Sequence, residues 1–139
     1  MAASTRMIGS FLIAAVLLGC AAFPARAASV SELQGAWVIN SAECSAVFTK
    51  KGGRVAFRPG RADAETSFII SDNRIQGARA SCTLVSEKRA ADGLRAVLDC
   101  SSRMMVGALP ISLRVPNPSV IVKFDPDFPE IETTFMRCE

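Results

Sequence analysis

No histidine and no tyrosine occur in the 139 residues. Two common proton-transfer groups are therefore absent. Zinc also loses its usual nitrogen ligand, and the close C-x-x-C spacing that a zinc site favours is missing, since the nearest two of the later cysteines, Cys82 and Cys100, stand 18 positions apart. No G-x-S-x-G, G-x-G-x-x-G or P-loop pattern appears. A glycosidase needs only two carboxylates, but any chain with 13 acids offers pairs by chance. The expected function is non-enzymatic, with no cofactor and no metal. There is no internal repeat, no low-complexity segment, and no window that sustains helical periodicity over three turns.

What is present begins with a leader. Arg6 supplies a positive start, Phe11 to Gly19 is an apolar run, and Ala25-Arg26-Ala27 is a small-x-small site with cleavage expected before Ala28. The run is too short for a spanning helix, which needs about 20 residues. Residues 1–27 are read as a signal peptide and 28–139 as one exported domain of bacterial type, periplasmic or secreted. Leu17-Leu18-Gly19-Cys20 offers an alternative. It resembles a lipobox, in which Cys20 would be lipidated and the domain would hang from a membrane. Removing Arg6 and Arg26 from the 16 basic residues leaves 14 against 13 acids, close to neutral. That balance does not suit a nucleic-acid-binding domain.

Four cysteines remain: Cys44, Cys82, Cys100 and Cys138. An even count in a small exported domain predicts two disulfides. Cys82 and Cys100 are symmetric about Ala91, inside the turn-forming segment Arg89-Ala90-Ala91-Asp92-Gly93. They also share a face with Leu84 and with Ala96 and Leu98. A hairpin folded there sets the two cysteines opposite each other, which leaves Cys44 to pair with Cys138.

The remaining signal is strand after strand. Ser31 and Gln34 fit a capping box for one helical turn before Gly35. Strands are expected at Trp37 to Asn40, Ala46 to Thr49, Arg54 to Arg58 after a Gly52-Gly53 turn, and Ser67 to Ser71 before a turn at Asp72-Asn73. A long strand follows from Arg74 to Val85 with a bend or bulge at Gly77. Then come Leu94 to Cys100, Ala108 to Val115, Val120 to Phe124 and Ile131 to Cys138. The fold class is all-β: an antiparallel meander of about eight strands closing into an up-and-down barrel, with a β-sandwich as the alternative.

Gly35-Ala36-Trp37 opens the first strand. A G-x-W at the start of a small exported β-meander resembles the calycins, which include lipocalins, avidins and the bacterial secreted metalloprotease inhibitors. The resemblance implies that Trp37 plugs the closed end of the barrel. Cys44 shortly afterwards also looks like the inhibitor pattern.

Three further segments stand out by charge or apolarity. Lys50, Lys51, Arg54, Arg58 and Arg61 form a basic hairpin with Phe57, suited to an anionic envelope polymer or lipid or, more plainly, to a solvated loop. Asp125, Asp127, Glu130 and Glu132 surround two prolines and Phe128 and read best as a proline-stiffened connection. Met104, Met105 and Val106 read as core filling. The expected function is a binding module, either an inhibitor of a hydrolase that inserts a rigid loop or residues Ala28 to Gln34, or a carrier of a small apolar ligand. The alternative is a structural envelope protein holding an anionic polymer through its basic hairpin.

Overall fold

The computed structural model describes residues 28–60 and 66–139. The leader with Cys20, and Arg61, lie outside the described residues. Ten strands are present among those described: β1 (Gly35–Val38), β2 (Phe48–Lys51), β3 (Arg54–Phe57), β4 (Ser67–Ser71), β5 (Arg74–Gly77), β6 (Ala80–Ala90), β7 (Gly93–Ser102), β8 (Val106–Asn117), β9 (Val120–Phe124) and β10 (Glu132–Cys138). Eight close into an antiparallel barrel in the order β1-β10-β9-β8-β7-β6-β5-β4, while β2 and β3 form a separate hairpin. The barrel, not the sandwich, is the outcome, and it leaves no free sheet edge along most of its circumference.

The expected long strand from Arg74 to Val85 is two antiparallel strands. Gly77 does not bend one strand; it ends β5, and the chain reverses at Ala78-Arg79 so that Ile75 faces Cys82. The expected strand at Ala46 is also corrected. Ala46 lies in a short helix, α1 (Cys44–Val47), and the strand starts at Phe48. The capping box sits two residues earlier than expected. A 3-10 turn spans Val30–Glu32, and the Ser29 backbone N–H donates to the Glu32 carboxylate at 3.2 Å.

The hairpin turns follow from local chemistry. Gly52 and Gly53 both have positive φ, as a two-residue hairpin turn requires. Gly93 has φ +146°, and a Cβ there would collide with the Leu113 carbonyl oxygen, so no other residue suits this position.

Alternation along the strands divides the core in two. Inside the barrel, Trp37, Ile70, Leu94, Leu113 and Ile121 pack against Val30 and Leu33 of the N-terminal segment. Outside, Ala36, Val38 and Ile69 pack against Val47 and Phe48. The runs at β1 and β4 are therefore apolar on both faces. One face looks into the barrel, and the other is covered by α1 and the β2–β3 hairpin. A disulfide between Cys44 and Cys138 ties α1 to the end of β10.

The second disulfide joins Cys82 and Cys100, directly opposite on β6 and β7. Its register depends on a bulge. The turn at Ala91-Asp92 pairs Ala90 with Gly93, and carried on unbroken that register would set Cys82 against Ser101. A shift between Leu84 and Ser86 restores the match. Val85 is the extra residue and is largely exposed. Two disulfides fit an oxidising compartment outside the cytoplasm.

Candidate functional site

One end of the barrel is closed by the chain segment that precedes β1. Val30 and Leu33, each 1% exposed, cover the opening, and Trp37, 0% exposed, lies beneath them. Hydrogen bonds fix this floor from several sides. Trp37 Nε1 donates to the Leu33 carbonyl at 3.0 Å. Arg137 of β10 stacks over the Trp37 ring at 4.9 Å and donates to the Glu32 carbonyl at 3.2 Å. Glu87 of β6 accepts from the Val30 N–H at 2.9 Å, and Gln34 exchanges two hydrogen bonds with the Asp72 backbone. Residues Ala28 to Gln34 are thus built into the barrel floor, and not an exposed segment ready to enter an enzyme cleft.

Above the floor lies a cavity of about 240 Å³ lined by Leu33, Phe68, Ile75, Leu98, Ile111 and Phe135 among others. Phe68 and Phe135 meet edge to face at 4.9 Å. The lining is apolar because every inward position of β4 to β8 along this stretch carries an apolar residue or cysteine. Lys123 is the exception, as the one charged residue among those lining the cavity. Its direction follows from register. Ile121, two residues earlier, belongs to the interior cluster, whereas Phe124 lies outside under Arg114 and Arg95, at 4.0 and 5.0 Å from its ring. On that outer wall Arg95 also bonds Asp92 at 2.7 Å, which holds the Asp92 carboxyl below its ordinary value.

The other end of the barrel is open. The β5–β6 and β7–β8 turns frame a vestibule that shares Gly77 and Ala80 with the cavity. On one side the wall is incomplete, because β8 pairs with β7 from Val106 onward but with β9 only from Ser112. Pro110 is tolerated in this stretch, where no β9 partner requires its missing N–H. The rim is apolar. Met104 is 96% exposed and Val106 81%, with Phe128 and Ile131 also exposed on the β9–β10 loop. The reading of Met104, Met105 and Val106 as core filling is therefore overturned. They occupy the tip of the β7–β8 connection, beyond the reach of the core.

The other sequence candidates fall elsewhere. In the basic hairpin, Lys51 faces Arg54 across the strands. Lys50 alternates to the opposite face, on the side of Phe48. The Arg58 Nε donates to the carbonyls of Ser45 and Phe48 at 2.7 and 3.1 Å, which ties down the base of the hairpin. The hairpin thus presents Lys50, Lys51 and Arg54 to solvent, without an ion pair among the described residues. In the acidic loop, Asp125 accepts from the backbone N–H of Asp127 and Phe128, and Glu132 pairs with Arg114 at 3.1 Å. Among the described residues no group of three or more metal-ligating side chains is assembled.

Sequence reasoning missed Arg137, Glu87 and Lys123. Arg137 and Lys123 each stand two positions from an inward apolar residue, Phe135 and Ile121, and this alternation was the available signal. Glu87 lies beyond the bulge, and its face cannot be assigned without locating that bulge. In comparisons with known proteins, the chain matches no family model, no curated protein and no solved structure.

Proposed function

We propose that this is an exported, calycin-like binding module that takes a small apolar ligand into its barrel. The observation that carries the reading is the apolar cavity above a floor sealed by Val30, Leu33 and Trp37, open at the opposite end. A G-x-W tryptophan at the closed end supports the calycin resemblance. The cavity is smaller than the roughly 300 Å³ at which drug-sized sites begin. At about 30 Å³ per water molecule in the liquid, its volume equals that of on the order of eight waters. The two disulfides support a periplasmic or secreted location, or a membrane-anchored one if Cys20 is lipidated.

1-Octanol is a suitable first probe. Calorimetry is expected to show saturable binding with a negative heat-capacity change, the mark of buried apolar surface. Ala80→Phe, which places a ring at the cavity's open end, is expected to weaken binding at least tenfold while thermal unfolding stays cooperative. Failure of both octanol and octanoate to saturate the wild-type protein would remove the reading. The apolar rim formed by Met104, Val106, Phe128 and Ile131 also supports a protein partner at the mouth, such as a hydrolase.

A second reading, an envelope role through the basic hairpin, is supported by the exposed Lys50, Lys51 and Arg54. Binding to lipopolysaccharide should then fall steeply with salt and be lost in the triple alanine variant. Retention of binding by that variant in a sedimentation assay counts against it.

A further inference from the structure

We infer that the ligand of the barrel is a small amphiphile with an anionic head, held by its apolar body in the cavity and by its head at Lys123. This rests on the reading of the barrel as a ligand site and names the ligand's chemistry. An apolar cavity alone gives no reason to take an acid, since it favours a hydrocarbon and penalises a polar head that finds no partner. The single charge in its lining does. Lys123 turns inward by register, in line with Ile121, and stands opposite Thr133 on β10 and Leu113 on β8. No carboxylate among the described residues forms an ion pair with it. The acids of the neighbouring strands are engaged elsewhere or face outward: Glu132 pairs with Arg114 on the outer wall, and Asp125 closes its own loop.

Lys123 is exposed, so in the empty barrel its methylene stem lines the wall while the ammonium reaches water. That arrangement costs little until a ligand covers the opening. A hydrocarbon of full cavity length would then separate the ammonium from water without replacing its hydrogen bonds, and an alcohol would return only an uncharged acceptor. A carboxylate or similar anionic head would accept a charge-assisted hydrogen bond at the same place. The geometry therefore favours an acid over an alcohol of equal chain length. Selectivity arises at one position, because the rest of the lining is apolar apart from Ser67, whose strand neighbour Ile69 belongs to the outer cluster.

The test compares octanoate with 1-octanol on the intact domain, by calorimetry, for the wild type and for Lys123→Gln and Lys123→Arg. Octanoate is expected to bind about tenfold more tightly than octanol to the wild type. Lys123→Gln should abolish that preference by weakening octanoate, with octanol bound at least as tightly as by the wild type, which also shows that the variant is folded. Lys123→Arg should keep the preference. High salt should weaken octanoate binding more than octanol binding. If octanol binds but octanoate is not preferred, or if the preference survives Lys123→Gln, the head-group assignment is wrong and the cavity reading stands. Equal loss of both ligands in Lys123→Gln also overturns it, since Lys123 would then shape the wall and not meet a charge. If neither ligand binds the wild type, both readings fall.

Discussion

Trp37→Ala is expected to lower the free energy of unfolding by about 4 kcal/mol, the middle of the range for a buried aromatic. Trp37 is fully buried, stacks at 6.4 Å on Phe68, and carries the Arg137 guanidinium on its ring. Truncation removes the largest apolar side chain of the interior and opens a void that the closed barrel cannot collapse to fill. It also leaves the Leu33 carbonyl without the indole N–H, and Arg137 without the surface it lies on. A domain of this size has a total stability of about 5–15 kcal/mol, so a large share would be lost. The measurement is the urea midpoint, with an unchanged slope confirming that the folded and unfolded states are the same ones. Trp37→Phe, which keeps a ring but loses the donor, should fall between. A midpoint for Trp37→Ala close to wild type would mean that the floor is held by Val30 and Leu33 alone.

The second large effect concerns the disulfides, and the two should differ. The Cys44–Cys138 bridge spans 94 positions and Cys82–Cys100 spans 18. In the chain-entropy account, removing the first costs about 4–5 kcal/mol and removing the second about 3 kcal/mol. The long bridge also secures α1, and with it the cover over Ala36, Val38 and Ile69. Paired alanine variants, Cys44→Ala with Cys138→Ala and Cys82→Ala with Cys100→Ala, test this by thermal unfolding. The expected order is that the long-loop variant melts lower. The reverse order would show that strain or residual structure in the unfolded chain outweighs loop closure here. Full reduction should remove both contributions.

Much of the barrel was legible in the sequence because alternation and turn residues are local. The strands Ser67–Ser71 and Val120–Phe124 have the bounds the sequence predicts, the Cys82–Cys100 pair follows from hairpin symmetry, and Cys44–Cys138 is the pair that remains. The errors share a cause: they occur where distant contacts decide. Arg74 to Val85 reads as one extended run, since Ala78-Arg79 carries no strong turn signal and only the pairing of Ile75 with Cys82 imposes a reversal. Ala46 and Val47 lie in a short apolar run that reads as strand, but the Phe48 N–H donates to the Cys44 carbonyl and closes a helical turn there. The methionine run is apolar by type, yet its place at the tip of a long β7–β8 hairpin puts it in solvent. At the candidate site, the apolar lining could be read from alternation, strand by strand. Lys123 could not be weighed, because its significance comes from being the one charged residue in a lining drawn from several strands.

The closure of the barrel also orders events in time. β1 takes its place between β4 and β10, and Trp37 lies opposite Arg137, a hundred positions further along the chain. Strands β4 to β10 can zip one onto the next as neighbours, but β1 completes its second ladder only with the last strand. A chain synthesised amino end first must therefore hold its first strand half-paired until its last strand arrives. Over that interval the hairpin and α1, already next to β1 and β4, shield the outer apolar face that would otherwise invite a stray strand.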